Sequence, residues 1–195
     1  MKKLGYLCMI ALAAFSFQSC NSENKDSQET ADSLNEAKDT TSNVAATGGI
    51  AVVEDDAEFA TKSAAAGMAE VELGKLALQK ATNAQVKEFA TMMVSDHGKA
   101  NAELMTLATA KNISLPTILD EDHQKMWDEL NGKTGKDFDK KYVDDMVDGH
   151  KKVLDLMEKQ ANDGEDADLK AFAAKTAPIV KAHLDAIKKI QDSLK

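Results

Sequence analysis

The sequence predicts an all-α protein built as a bundle of four amphipathic helices. Only two of its 195 residues are proline, and aromatic residues make up 5%. Apolar residues recur at spacings of three and four from about residue 56 to residue 194, without the β-branched runs that mark strands. Because this periodicity places apolar residues on one face of a helix, helices are favoured throughout that region.

The N-terminal residues predict export and lipidation. Two lysines precede an apolar run that ends at Phe17, and this run is too short to span a bilayer, as is typical of a secretory signal. Ser19-Cys20 follows, and resembles the relaxed lipobox of Bacteroidetes lipoproteins. We therefore expect residues 1–19 to be a signal peptide and Cys20 to carry lipid. Plain secretion with cleavage nearby is the alternative.

Residues 20–54 are rich in Ser, Asn, Asp, Glu and Thr and lack periodic apolar residues, which predicts a disordered tether before the bundle domain at 55–195. The expected location is the cell envelope, as an outer-membrane lipoprotein that faces the periplasm or the cell surface. The membrane, through Cys20, is the expected partner; protein partners are left open. A net charge of −9 makes nucleic acid an unfavourable partner.

The first two predicted helices each carry one polar residue in their inward line. The first runs from about Asp56 to Ala81, and the second starts after Thr82, where Thr82 and Gln85 form a capping box, and ends near Lys111. Their lines read Ala65, Met68, Glu72, Leu76 and Val86, Phe89, Met93, His97, Ala100, Leu104, Leu107. Glu72 and His97 therefore face inward.

The other two helices repeat this feature. The third runs from about Asp137 to Ala161, and the fourth from about Asp166 to Leu194 with Pro178 inside it. Their inward lines are Phe138, Tyr142, Met146, His150, Val153, Met157 and Leu169, Phe172, Thr176, Val180, His183, Ile187, Ile190, Leu194. Each line has one histidine near its centre.

The connections predict the topology. Short links join the first helix to the second and the third to the fourth, so each pair forms an antiparallel hairpin. The link between the hairpins is long and contains a short helix, about Asp120 to Leu130. A long crossover at this place is the ferritin-like arrangement, in which the second and third helices run in the same direction. A simple up-down bundle is the alternative.

Four inward polar residues are expected at one level of the core: Glu72, His97, His150 and His183. Buried ionisable groups without partners are costly, so these residues need either a metal ion or one another. Three histidines with one carboxylate suit a single Zn, Cu, Fe or Mn ion. No histidine follows a glutamate by three residues, so the donor set differs from a di-iron carboxylate centre. A metal-free polar network is the alternative.

Three methionines are weaker ligand candidates. Met68, Met93 and Met146 each lie four residues before one of the four polar residues, and thioethers favour Cu(I). Methionine is also a common filler of helical cores. Asp96 and Asn101 are candidates to support the ligands, although Asp96 points about 100° away from His97 on the helix and could instead be solvated.

Several segments resemble the DUF4142 family, in matching order and spacing: AAAGMAEVELGKLALQKA (Ala64–Ala81), VKEFATMMVSDHGKAN (Val86–Asn101), FDKKY, MVDGHKK and DLKAFAAKTAP. The resemblance covers about Asp56 to Leu194. It implies a ferritin-like four-helix fold and an exported bacterial protein, often labelled an outer membrane protein, without an established activity. The family motif matches Glu72, His97, His150, His183 and His123, whereas Gly149 replaces an Asp that members often have.

The sequence therefore favours an exported, lipid-anchored bundle that binds a transition metal for storage, buffering or stress protection. An interaction or structural module of the cell envelope, with a metal-free polar core, is the alternative. An enzyme is a third class, for which the chain offers no nucleophile with an adjacent base. No catalytic residues are assigned.

Overall fold

The computed structural model describes residues 26–38 and 53–194 of the chain, and these form six α-helices and no strand. The bounds are α1 Ser27–Lys38, α2 Glu54–Lys80, α3 Ala84–Ala110, α4 Glu121–Asn131, α5 Gly135–Asp163 and α6 Ala167–Ser193. The prediction of an all-α fold is confirmed. The predicted signal peptide and Cys20 lie outside the described residues.

The four long helices pack as two hairpins, α2 with α3 and α5 with α6, and α2 also packs against α5 and α3 against α6. Asp56, near the start of α2, accepts a hydrogen bond from Gln160 near the end of α5. Asp139, near the start of α5, accepts one from Thr82, just after α2. These contacts show that α2 and α5 are antiparallel, so α3 and α5 run in the same direction, as the long link predicts.

The same two carboxylates fix the height of α2 against α5. At one end, Asp139 accepts hydrogen bonds from the backbone N–H groups of Thr82 and Asn83 and from the Thr82 hydroxyl. At the other end, Asp56 accepts from the Gln160 amide and from the backbone N–H of Asp166. Because each buried carboxylate has several donors, sliding one helix along the other would leave a buried charge without partners.

Two apolar clusters fill the core, one at each end of the bundle, and each draws residues from all four long helices. One cluster includes Phe89 and Tyr142, and the other includes Leu104 and Phe172. Between them lies one layer of polar side chains. Its members are Glu70 on α2, His97 on α3, His150 on α5 and His183 on α6.

The prediction of a disordered tether over residues 20–54 is wrong for α1. Ser27–Lys38 is helical and packs on α2, with Ala31 buried. The Asn35 side chain both donates to the Ser114 carbonyl and accepts from the Ser114 backbone N–H, and the Asp32 carboxylate accepts from Thr61. α1 is held by these hydrogen bonds and not by a continuous apolar face. Because sequence periodicity detects only apolar faces, it did not predict this helix.

Local details refine the start of α3 and its contact with α2. The cap of α3 is Asn83, whose side chain accepts from the N–H groups of Gln85 and Val86, whereas the predicted cap Thr82 binds Asp139. Gly74 lets α2 approach α3 closely, since a Cβ there would lie 3.0 Å from Val94 Cγ2 and 3.2 Å from the Ala90 carbonyl oxygen. Among the described helices, none combines the length and hydropathy needed to cross a membrane.

Candidate metal centre

Three histidine rings converge in the polar layer. His97, His150 and His183 are buried, with exposed fractions of 6%, 0% and 3%. Their ring centroids lie 5.3–5.7 Å apart, and one nitrogen from each ring lies within 4.8 Å of the others. The structure therefore brings together the three histidines that the sequence places at one level of the bundle.

Each ring has one nitrogen held by an acceptor outside the cluster. His97 Nδ1 lies 2.7 Å from Glu70 Oε2, His150 Nδ1 lies 2.8 Å from the Met146 carbonyl oxygen, and His183 Nε2 lies 3.3 Å from Asp96 Oδ2. A neutral imidazole carries one N–H, and an acceptor draws that proton to the nearer nitrogen. In the neutral form of each ring, the second nitrogen then bears a free lone pair.

These second nitrogens have no other partner. His97 Nε2, His150 Nε2 and His183 Nδ1 are buried and receive no hydrogen bond within the described part of the chain. A buried lone pair without a donor is unfavourable unless a cation or a proton binds it. Metal-binding histidines show the same pattern, in which an acceptor orients the ring from behind and the opposite nitrogen binds the ion.

The electrostatics keep two of the rings neutral. Burial lowers the pKa of His150, and the neighbouring His97 lowers it further, although the charge of Glu70 partly offsets this. Burial and the two neighbouring histidines lower the pKa of His183 to about 4, against the opposing effect of Asp96. Neutral imidazoles are the form that binds a metal ion, so His150 and His183 are ready to do so at neutral pH.

His97 and Glu70 each favour the charged form of the other, so a metal ion that binds His97 would compete with a proton there. Burial alone would lower the pKa of His97, but the charge of Glu70 and the hydrogen bond to it raise the pKa above its usual value. Burial alone would raise the pKa of Glu70, but His97 and His150 hold it below its usual range. Glu70 Oε1 also lies 3.4 Å from His150 Nδ1, so one carboxylate contacts two of the three rings.

The assignment of Glu72 to this cluster is wrong. Its side chain is 41% exposed and forms a 2.7 Å ion pair with Lys75, whereas the side chain of Glu70 is 6% exposed and contacts His97. The predicted inward line of α2 was misplaced because this helix is rich in Ala and Gly and is buried on several sides. A line of Gly67, Glu70, Leu73 and Ala77, spaced three and four apart, was the available signal.

The weaker candidates are divided between core and surface. Met93 and Met146 are buried in the apolar cluster that contains Phe89, and the Phe89 ring packs edge-on against His150 and His183. Met68 is only half-buried and lines a separate surface cavity of ≈ 470 Å³ together with Asn101. Asn101 is therefore placed away from the histidines, while Asp96 contacts His183.

His123 lies apart from the three buried rings. It belongs to α4, where its Nδ1 lies 2.5 Å from Asp120 Oδ2 and its side chain is 28% exposed. It lines a second cavity, of ≈ 700 Å³, that also reaches Glu70. The resemblance implied a role for His123, and the structure places this residue at the cavity and not among the three buried histidines.

One family model and two solved structures are similar to this chain. The model of the family described as "Domain of unknown function (DUF4142)" matches residues 39–190. No curated protein matches the sequence. Two solved structures have the same fold: CopM in the Cu(II)-bound form, with 16% identity, a TM-score of 0.62 and coverage of 72% of this chain and 97% of that one, and CopM in the Ag-bound form, with 16% identity, a TM-score of 0.59 and coverage of 71% and 96%.

Proposed function

The chain belongs to the DUF4142 family, and we propose that its bundle binds one transition-metal ion between His97, His150 and His183, for storage, buffering or protection against metal stress. One observation carries this proposal. Each of the three rings has one buried nitrogen without a hydrogen-bond partner and an acceptor at its other nitrogen, and one nitrogen from each ring lies within 4.8 Å of the others. A cation bound between the rings would give the unpartnered nitrogens a partner.

The donor chemistry favours a late transition ion. Neutral imidazole nitrogens suit zinc, copper, iron and nickel, whereas magnesium and calcium prefer oxygen ligands. The two similar folds are described with Cu(II) and with Ag, which makes copper the first ion to test in this chain and zinc the second. Manganese remains in the predicted set but fits three nitrogen donors less well.

The three nitrogens leave coordination positions for further ligands. Met93 and Met146 lie one helical turn before His97 and His150 in the same buried region, so a thioether could complete the site for Cu(I). Glu70 contacts the Nδ1 atoms of His97 and His150. Its role in the proposal is to orient these rings and to balance the positive charge of the ion, in place of the ligand role expected for Glu72.

The location of the site in the cell is part of the proposal. A signal peptide at residues 1–19 and a lipidated Cys20 would place the bundle in the cell envelope, tethered to a membrane. There it would meet metal ions before they reach the cytoplasm. Labelling of expressing cells with radioactive palmitate tests the lipidation: the wild type should incorporate label, and a Cys20→Ala variant that still incorporates it would contradict the proposal.

The alternative is an interaction module whose polar core binds no metal. Such a network would require the polar atoms to satisfy one another. In the described residues, the contacts to Glu70, Met146 and Asp96 satisfy one nitrogen of each ring and leave the other three without partners. The geometry therefore supports metal binding better than a closed network.

A direct titration tests the proposal. Untagged, chelator-treated protein is titrated with Cu²⁺, Zn²⁺, Ni²⁺ and Mn²⁺, and we expect one tight site for copper or zinc. The variant with His97, His150 and His183 all replaced by Gln should lose that site, while His123→Gln should keep it. Equal metal affinity in the triple variant and the wild type would contradict the proposal, provided that circular dichroism shows that both proteins are folded.

A further inference from the structure

A deep cavity of ≈ 700 Å³ connects the surface with the polar layer. It lies between α2 and α5, next to α4 and the residues that begin α1. Asp122 and Asp148 line it and are exposed, with side chains 96% and 72% accessible, so the cavity opens to solvent there. Glu70, which contacts His97 and His150, lines it at the buried end.

The walls of this cavity are strongly negative. Seven of its lining residues are Asp or Glu and two are Lys. A cleft lined by one sign of charge concentrates ions of the opposite sign and raises their rate of association. A negative surface is common on an acidic protein and does not by itself indicate a route for cations. The residues at the buried end of the cavity are therefore the more informative evidence.

Two carboxylates at the inner part of the cavity have oxygens without ordinary partners. Apart from the histidine rings, no donor in the described residues reaches Glu70 Oε1 or Oε2, and its side chain is 6% exposed. Asp145 Oδ1 contacts Lys141, but its Oδ2 is buried and has no hydrogen-bond partner. Asp145 Oδ2 is therefore free to contact a dehydrating cation as it moves inward, and Glu70 would do so in exchange for its contacts to the rings.

We propose that this cavity is the path by which a metal cation moves from solvent to the histidines, with Glu70 as the last carboxylate before the rings. The path rests on the proposed metal site. Its cations are divalent ions of the size of Co²⁺, Zn²⁺ and Cu²⁺, attracted first by the exposed rim and then by Asp145 and Glu70. The competing path lies on the opposite side of the bundle, where Asp96 on α3 is 34% exposed and contacts His183 on α6.

A bulky side chain introduced into the cavity tests the path. Gly149 on α5 lines the cavity next to His150, and Gly98 on α3 lies next to His97 outside it. A Cβ at either glycine would have no neighbour within 4 Å, so larger side chains fit at both positions. Gly149→Phe should slow association and dissociation by the same factor, about five-fold or more, and leave Kd unchanged, because an obstacle on a path alters both rates. Gly98→Phe is the matched control and should change neither rate.

Charge removal tests the steering. Asp122→Asn with Asp148→Asn removes two charges from the rim, and Glu88→Gln with Asp185→Asn removes two exposed charges from α3 and α6. With Co²⁺ as the probe and its visible absorption followed by stopped flow, we expect the rim variant to bind about five-fold more slowly at low salt. This difference should shrink at about 0.5 M NaCl, where surface charges are screened. The control pair should change the rate by less than about two-fold.

The outcomes are distinct. Slower rates in the Gly149 and rim variants with unchanged equilibrium spectra support the path. Equal slowing in the rim and control pairs, or slowing by Gly98→Phe in place of Gly149→Phe, overturns the path while the metal site stands. Wild-type protein that binds neither Co²⁺ nor Cu²⁺ at equilibrium overturns the proposed function, and the path with it.

Discussion

The carboxylate of Glu70 on α2 lies 2.7 Å from Nδ1 of His97 on α3. This contact determines which ring nitrogen carries the proton and directs His97 Nε2 toward the other two rings. The sequence predicted Glu72 as a metal ligand. The structure instead places Glu70 in the core, where it orients the ligand candidate His97.

Glu70→Gln should weaken metal binding about 10- to 100-fold, because the loss of an orienting carboxylate typically has this effect. The substitution keeps the size of the side chain but removes its charge. Competition with a chromophoric chelator measures the affinity. Glu72→Gln, on the exposed side of the same helix, is the matched control and should change it by less than about two-fold. Equal effects of the two variants would contradict the role of Glu70.

The same substitution should change the titration of His97 in the metal-free protein. The charge of Glu70 raises the pKa of His97 against the effect of burial. Without that charge, burial dominates, and we expect the pKa of His97 to fall below its usual value near 6.5. The chemical shift of the His97 Cε1 proton across pH 4 to 9 reports it. A His97 pKa that stays above the usual value in Glu70→Gln would show that another group is responsible.

Asp96→Asn should weaken metal binding less than Glu70→Gln does. Asp96 Oδ2 lies 3.3 Å from His183 Nε2, and its side chain is 34% exposed, so water can replace part of its contact. We expect a loss of roughly three- to ten-fold in affinity. Asp185→Asn, on α6 and paired with Lys181 at the surface, is the control. An Asp96 variant as weak as Glu70→Gln would indicate that Asp96 contributes more than ring orientation.

How much of this site the sequence could predict depends on the helix. On α3, α5 and α6 the large apolar residues mark one inward face clearly, and His97, His150 and His183 interrupt it. On α2 the inward face is made largely of alanine and glycine, which are also present on other faces, so the line through Glu72 and the line through Glu70 looked alike. The right choice depended on which face of α2 meets α5, and that is set by distant contacts of Asp56 and Asp139.

The helix α1 shows a second limit of pattern reading. It is held by side-chain hydrogen bonds to residues 61 and 114, far along the chain, and buries few apolar groups. Periodicity detects amphipathic faces, whereas polar docking depends on partners that only the fold brings close. The long link between the hairpins, in contrast, was a local feature, and the shared direction of α3 and α5 follows from it.

The stability of the metal-free protein should fall as the pH is lowered from about 6.5 toward 4. The pKa of His183 is about 4 in the folded protein, against 6.5 as the reference value, and the pKa of His150 is also lowered. The unfolded chain then binds more protons than the folded chain in this interval, so acid favours unfolding. His97 acts above this interval: its raised pKa gives a contribution to stability that is fully present below about pH 6.5 and is lost as the pH rises through the raised pKa.

Urea unfolding in the presence of a chelator measures this effect. We expect His183 to account for a loss on the order of 1 kcal/mol between pH 6.5 and 4, after allowance for solvent near the ring. Because Gln does not titrate, His183→Gln should show a shallower decline than the wild type. A wild-type protein and a His183→Gln variant with the same pH dependence would contradict the lowered pKa of His183.

Asp139→Asn should both destabilise the bundle and weaken the metal site. The Asp139 carboxylate accepts from two backbone N–H groups and one hydroxyl at the turn between α2 and α3. An amide accepts with only one oxygen, so the free energy of unfolding should fall by about 1–3 kcal/mol. Asp137→Asn, exposed and two residues away, should change it by less than about 0.5 kcal/mol.

The metal affinity of Asp139→Asn should fall as well, because Asp139 sets the height of α5 against α2 and thereby the distance between His150 and Glu70. A few-fold loss is expected in the folded protein, measured by chelator competition well below the unfolding temperature. Lower stability with unchanged affinity would mean that the contacts around Asp56, at the other end, hold the two helices at the correct height by themselves.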